Sequence, residues 1–215
     1  MVRKRFPSYG IIELLPQHIR HVLSAIPAIH TGVTQGQVEP IMNYCSECGA
    51  PVALAIPPGD TRSRHVCASC GMIHYRNPKL VVGTIPKWEN GVLLCRRAIE
   101  PRYGKWTLPA GFMETQESTA DAAMRETLEE ACARIEIGEM FSLIDVPIIS
   151  QVHIFYRARL LDTGFHPGEE SLETEIFHEN RIPWNDIAFR TVSLTLRHYF
   201  ADQRNGSWQF HTMIL

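Results

Sequence analysis

A chain of 215 residues, 45% hydrophobic and 20% charged, carries enough apolar side chains for a real core, in one main domain with something small beside it. The net charge of −2 at pH 7 gives no reason to expect broad binding to nucleic acid or membranes. No stretch approaches the run of about 18 apolar residues that a membrane-spanning helix needs.

Residues 1–42 read as an N-terminal extension without an assigned role. The segment is basic and poor in acids, with Arg3, Lys4, Arg5 and Arg20 against Glu13 and Glu39. Ile11, Ile12, Leu15, Ile19, Val22, Leu23 and Ile26 suit a short amphipathic helix between Pro16 and Pro27. A faint likeness to a transit peptide is undercut by too few Ser and Arg residues. Met42 as a native start, and an arm that forms a homodimer, are the other readings.

Residues 43–78 hold Cys45-x2-Cys48 and Cys67-x2-Cys70, separated by 18 residues. Each pair lies in a knuckle, CSECG or CASCG, whose glycine lets backbone amides turn toward the sulfurs. Four thiolates so spaced predict a closed tetrahedral Zn2+ site of structural type. Two disulfides or a redox CxxC are the alternatives; Cys95 and Cys132 stand outside the pattern and no secretion signal is recognisable, which favours zinc. Arg62, Arg64, Arg76 and Lys79 against Glu47 and Asp60 make only a weak basic bias without an aromatic ladder, so nucleic-acid binding is not expected.

Residues 79–201 form the main domain. Strands are predicted at Leu80–Ile85 and Val92–Cys95, joined by an Asn90-Gly91 turn. Trp106-Thr107-Leu108 then leads through Pro109 and Ala110 to Gly111. Ser118 and Asp121 read as a capping box opening a helix from Thr119 to Cys132. At about 100° per residue, Ala120, Met124, Thr127, Leu128 and Ala131 would pack, while Glu126, Glu129 and Glu130 cluster on the opposite side. Three like charges there call for a cation, and hard divalent ions such as Mg2+ or Mn2+ prefer such oxygens together with substrate phosphates. That chemistry suits hydrolysis of a diphosphate by an activated water. Arg125 could hold a carboxylate bidentately, and Glu114 adds an acid in the preceding loop. An ordinary solvated acidic face is the competing reading. It is outweighed by the joint spacing of Gly111, Glu117, Arg125, Glu126, Glu129 and Glu130. Further strands are predicted at Ile135–Val146, Gln151–Leu161 and Thr174–His178, then helices opening near Pro183 and over Val192–Phe200. Residues 202–215 read as a tail. An α/β fold with a mixed sheet flanked by helices follows from this order.

The stretch from Gly111 to Ala133 resembles the Nudix box, G-x5-E-x7-R-E-U-x-E-E-x-G-U, with every charged position filled. Thr127, Cys132 and Ala133 depart from its aliphatic, glycine and aliphatic positions. The resemblance extends through the cysteine knuckles, Ile73–Lys79, Cys95–Gly104 and Leu108–Glu114 to zinc-ribbon Nudix hydrolases related to plant FAD and ADP-ribose pyrophosphatases. It implies an α/β/α sandwich preceded by the ribbon, and a cytoplasmic pyrophosphohydrolase that yields two monophosphates from a nucleotide such as FAD or ADP-ribose. By the same resemblance Gly111, Glu126, Glu129 and Glu130 would bind Mg2+ or Mn2+, with Glu114 helping and Arg125 orienting a glutamate. NADH pyrophosphatases that also remove NAD caps from RNA share both modules. Their S-Q-P-W-P-F-P segment is absent, the corresponding residues here being Ile148 to Phe155. A Nudix regulator that senses ADP-ribose without turnover is a further alternative. Arg96, Arg97 and Arg102 are candidate phosphate contacts, and Tyr103, Trp106 and Phe112 candidate stacking surfaces. Glu170 and Glu173 are candidate late-loop acids.

Overall fold

The computed structural model describes residues 42–215. The segment between Pro16 and Pro27 lies outside the described residues. The ribbon comes first, as a three-stranded antiparallel sheet of β1 (Val52–Ala55), β2 (Arg64–Cys67) and β3 (Ile73–His74) in that order. Its knuckles close through Gly49 and Gly71, at φ of 72° and 76°, which return their amides to the Cys45 and Cys67 carbonyls.

The main domain is an eight-stranded mixed sheet between two helices. The strands are β4 (Lys79–Trp88), β5 (Gly91–Arg97), β6 (Trp106–Thr107), β7 (Ala110–Phe112), β8 (Ile135–Val146), β9 (Gln151–Leu160), β10 (Ser171–His178) and β11 (His211–Ile214). They run in the order β10-β5-β4-β9-β8-β11, with β6 on β5 and β7 on β4. Strand β4 is parallel to β9 but antiparallel to β5 and β7. On that side β7 pairs only with the first half of β4, at residues 81–83, and β5 only with its end, at residues 87–88.

Alternation along the strands sorts the two layers. Val82, Ile154 and Tyr156 meet Ala122 and Ala123 of α1 (Thr119–Ala131). Ile85 and Phe155, together with Phe141, meet Val192, Leu196, Tyr199 and Phe200 of α2 (Arg190–Asn205). Helix α1 opens on the predicted capping box, with the Ser118 hydroxyl accepting from the Asp121 amide and the Asp121 carboxylate from the Ser118 amide.

The structure departs from the sequence reading in several places. The β4–β5 turn is Glu89-Asn90, with Glu89 at φ 50°, and Gly91 already belongs to β5, where a Cβ would stand 2.5 Å from Ile176 Cγ2. Glycine is there for packing, not for the turn. Short 3-10 turns, Glu179–Arg181 and Trp184–Asp186, stand where a helix near Pro183 is predicted. Residues 202–215 are no loose tail, since α2 continues to Asn205 and β11 pairs in parallel with β8. The packing face of α1 is also rotated: Leu128 is exposed, whereas Glu126 and Glu130 are buried beside Ala122 and Ala123.

Candidate active site

The rotation of α1 turns two acids inward, toward β7. Glu126 and Glu130 are only 9% and 5% exposed, while Glu129 remains in solvent. Gly111 makes room for the first, because a Cβ on it would lie 2.3 Å from the Glu126 carboxyl carbon. The second accepts from the Ala110 amide at 3.3 Å. Helix and strand therefore meet through carboxylates instead of an apolar seam.

Arg125 gathers the box. Its Nε and Nη2 grip Glu117 at 3.1 and 2.8 Å, its Nη1 donates to Glu126 at 2.8 Å and Glu129 at 3.0 Å, and Nη2 also reaches the Phe112 carbonyl at 3.1 Å. The bidentate partner is thus Glu117, whose other contact is the Glu114 amide at 2.6 Å. That tie shapes the loop ahead of the helix. The sequence shows Glu117 at the right spacing but not its task, because the contact closes a loop and not a helical turn.

The electrostatics follow. Burial pushes the Glu130 carboxyl up to about 8, eased by the Ala110 amide and aggravated by the charges of Glu126 and Glu170. Burial also raises Glu126, against the pull of Arg125. Glu117 is held below the usual carboxylate range by the same arginine. With Arg125 divided among three acids, the inner pair lacks a full counter-charge. An all-oxygen set of this kind fits a hard divalent cation. Among the described residues only the four cysteines bring three or more ligand atoms within 4.8 Å of one another. Glu129 would have to turn from Arg125 to join Glu126 and Glu130 on one ion.

The cysteines pass a sharper test. Their sulfurs lie 3.6 Å apart for Cys45 and Cys70 and 3.5 Å for Cys48 and Cys67, far beyond a disulfide bond of about 2.05 Å. They are near the roughly 3.8 Å edge of a tetrahedron with Zn–S bonds of about 2.3 Å. Hydrogen bonds from the amides of Cys70 and Ser69, the former the stronger, help bring the Cys67 thiol down to about 7.

Other candidates divide. Arg97 is buried, donates to the Pro101 carbonyl at 2.9 Å and stacks over Phe189, but its charge still reaches Glu130. Arg96 is spent on the Gly104 carbonyl and on Glu173, at 2.9 and 2.8 Å, so Glu173 belongs to an ion pair on β10 and not to the acid cluster. Glu170 is near enough for its charge to be felt by Glu126 and Glu130. Arg102, at φ 72°, and Tyr103 sit exposed in the loop between β5 and β6. Trp106 is half-buried and packs edge-on against Phe177 at 4.8 Å, a core contact and no open stacking surface. Phe112 is about half exposed, with Lys79 Nζ 5.1 Å from its ring, beside a groove of about 520 Å3 lined also by Leu80, Met113 and Glu114. Lys79 is the residue the sequence reading left without a role here.

Comparison with known proteins decides the family. The NUDIX domain model matches residues 77–202, and the model described as Nudix N-terminal, a zinc ribbon, matches residues 43–76. The chain belongs to the Nudix family. A crystallised NUDIX hydrolase from Nitrosomonas europaea is 55% identical, with a TM-score of 0.79, over 81% of this chain and 99% of that one. An ADP-ribose pyrophosphatase of Methanocaldococcus jannaschii is 27% identical over 113 residues, covering 51% of this chain and 67% of the archaeal protein. An NAD-capped RNA hydrolase, NudC, of Chromobacterium violaceum is 28% identical over 95 residues, covering 43% of this chain and only 33% of its own length. The Nudix fold, zinc-ribbon cysteine cluster and hydrolase class are therefore those of this chain. No helix of this Nudix hydrolase, among the described residues, is long and apolar enough to cross a membrane.

Proposed function

We propose that this Nudix hydrolase is a Mg2+- or Mn2+-dependent pyrophosphohydrolase that splits the diphosphate of ADP-ribose or FAD, taking up one water and releasing two monophosphates. The observation that carries the reading is the buried, under-compensated pair Glu126 and Glu130, set against Gly111 and the Ala110 amide of β7. In this reading Glu126, Glu129 and Glu130, with the Gly111 carbonyl and Glu114, hold the cation. Arg125 fixes the box by tying Glu117 and Glu126. A divalent cation, when bound, supplies charge neutralisation at the diphosphate and acidity toward the attacking water. Arg97 and Arg102 offer positive charge to phosphate oxygens, and Phe112 with Lys79 offers a surface for a ring. Residues 43–78 serve as a module stapled by structural Zn2+, and residues from 79 on carry the chemistry. The likeness to an ADP-ribose pyrophosphatase supports the first substrate, and the resemblance to plant FAD pyrophosphatases the second. The likeness to NudC favours a second reading, hydrolysis of NAD caps on RNA.

A phosphatase-coupled phosphate-release panel over ADP-ribose, FAD, NADH and NAD-capped RNA separates these readings. Release from ADP-ribose or FAD that vanishes with EDTA is expected. Turnover confined to NADH and capped RNA would replace the proposal with the second reading, and no release from any substrate would overturn both.

A further inference from the structure

The last turn of α1 ends against a loop. The His166 amide donates to the Ala131 carbonyl and the Gly168 amide to the Glu130 carbonyl, each at 3.0 Å, so one loop takes two of the four carbonyls that a helix C-terminus leaves without partners. The approach is so close that a Cβ on Gly168 would stand 1.7 Å from the Glu129 carbonyl oxygen. Gly168 is not among the residues of positive φ, so the need for glycine is one of space alone. The obstacle is helix backbone, which cannot swing aside like a flexible side chain. Beyond this contact the Ser171 amide donates to the Gly168 carbonyl at 3.1 Å, and the Glu170 carbonyl accepts from the Ala98 amide at 2.8 Å, just past the end of β5. The loop is therefore pinned to the box helix on one side and to the sheet on the other. Glu169 stands between the pins, and Glu170, itself the second pin, lies two residues from the amide that holds the carbonyl of the buried Glu130.

We propose that Gly168 is a positioning residue for hydrolysis: by letting the 163–170 loop lie on the last turn of α1, it holds the Glu170 carboxylate at a set distance from Glu126 and Glu130. The inference rests on the functional reading above and adds to it the device that couples the late loop to the box. The helix end and the loop then move as one body, and a shift at Gly168 reaches the acid cluster through Glu170.

A double-mutant cycle of Gly168→Ala and Glu170→Gln tests this, read both as steady-state ADP-ribose hydrolysis and as Mn2+ affinity without substrate. Each single change is expected to lower kcat by about 10-fold or more with KM within about twofold, and the double variant to fall no more than about twofold below the worse single. Losses that multiply, or a Glu170→Gln variant as active as wild type, would overturn it. Should ADP-ribose be inert with wild type, the functional reading fails, and the same non-additivity in Mn2+ affinity decides the clamp; a wild-type chain that binds no Mn2+ overturns both. Hydrogen exchange on the wild-type protein guards against a variant that does not fold. The His166 and Gly168 amides are expected to be as protected as the interior of α1, and exchange at the rate of an open loop would refute the clamp.

Discussion

Thr127 stands at a box position that usually takes a bulky aliphatic residue, and the structure supplies its reason. Its hydroxyl meets that of Thr84 on β4 at 2.6 Å and the Ala123 carbonyl at 2.7 Å, with both threonines fully buried. A satisfied polar clip thus replaces apolar packing. Ala133, the other small substitute, is buried with Leu93, Cys95 and Leu160. Cys132 takes the glycine position in the left-handed conformation, at φ 48° and ψ 27°, and caps the helix through its amide on Leu128. An L residue there costs about 1 kcal/mol, so Cys132→Gly is expected to raise the melting temperature by about 2–4 °C in calorimetry; a fall would mean that the thiol contributes packing that the strain conceals. His153 offers a second test. Burial lowers it to about 4, and its Nδ1 has no partner while Nε2 meets Gln151 at 2.9 Å. The unfolded chain accepts a proton near 6.5 that the folded chain refuses until about 4, so stability is full above 6.5 and falls as pH drops through that window. The loss amounts to roughly 2–4 kcal/mol. In denaturant titrations between pH 7 and 5, His153→Leu should flatten the slope, and an unchanged slope would deny the assignment. Local chemistry of this kind was only partly legible: the spacing of the box acids can be read from the chain, whereas the partners of Thr127 and His153 lie on strands far away in sequence.

At the level of elements, α1 shows what periodicity captures and what it misses. Its start is readable because Ser118 and Asp121 cap locally, and β8 spans Ile135–Val146 as predicted. Its inward face is hidden from periodicity, since hydrophobicity points to Leu128 while the fold buries Glu126 and Glu130 against glycine and a backbone amide. Functional acids break the apolar pattern of the helix. The ribbon is the opposite case, where cysteine spacing alone placed four sulfurs on one site. With three short strands, it has too little core to hold without metal. One zinc per chain is expected by elemental analysis, and its removal by a chelator should open residues 45–74 to hydrogen exchange while α1 stays protected. Retained protection without metal, or a mass shift showing disulfides, would refute the structural zinc.

Across the whole molecule, the layers of α1, sheet and α2 set the box helix against β7, which pairs with the part of β4 that β5 leaves open. Strand order was beyond the sequence: the parallel pairing of β4 with β9, and of β11 with β8, joins segments separated by whole elements. The C-terminal strand in particular has too few residues to announce itself. What the assembled fold adds to the box is burial, which raises Glu126 and Glu130 so that their ionised forms call for a cation beside them. The most direct test is phosphatase-coupled ADP-ribose hydrolysis by wild type and Glu130→Gln at saturating Mg2+. The wild type should turn over and the variant should lose about 100-fold or more in kcat while keeping its melting temperature, whereas full activity in the variant would contradict the assignment of the buried acids to catalysis.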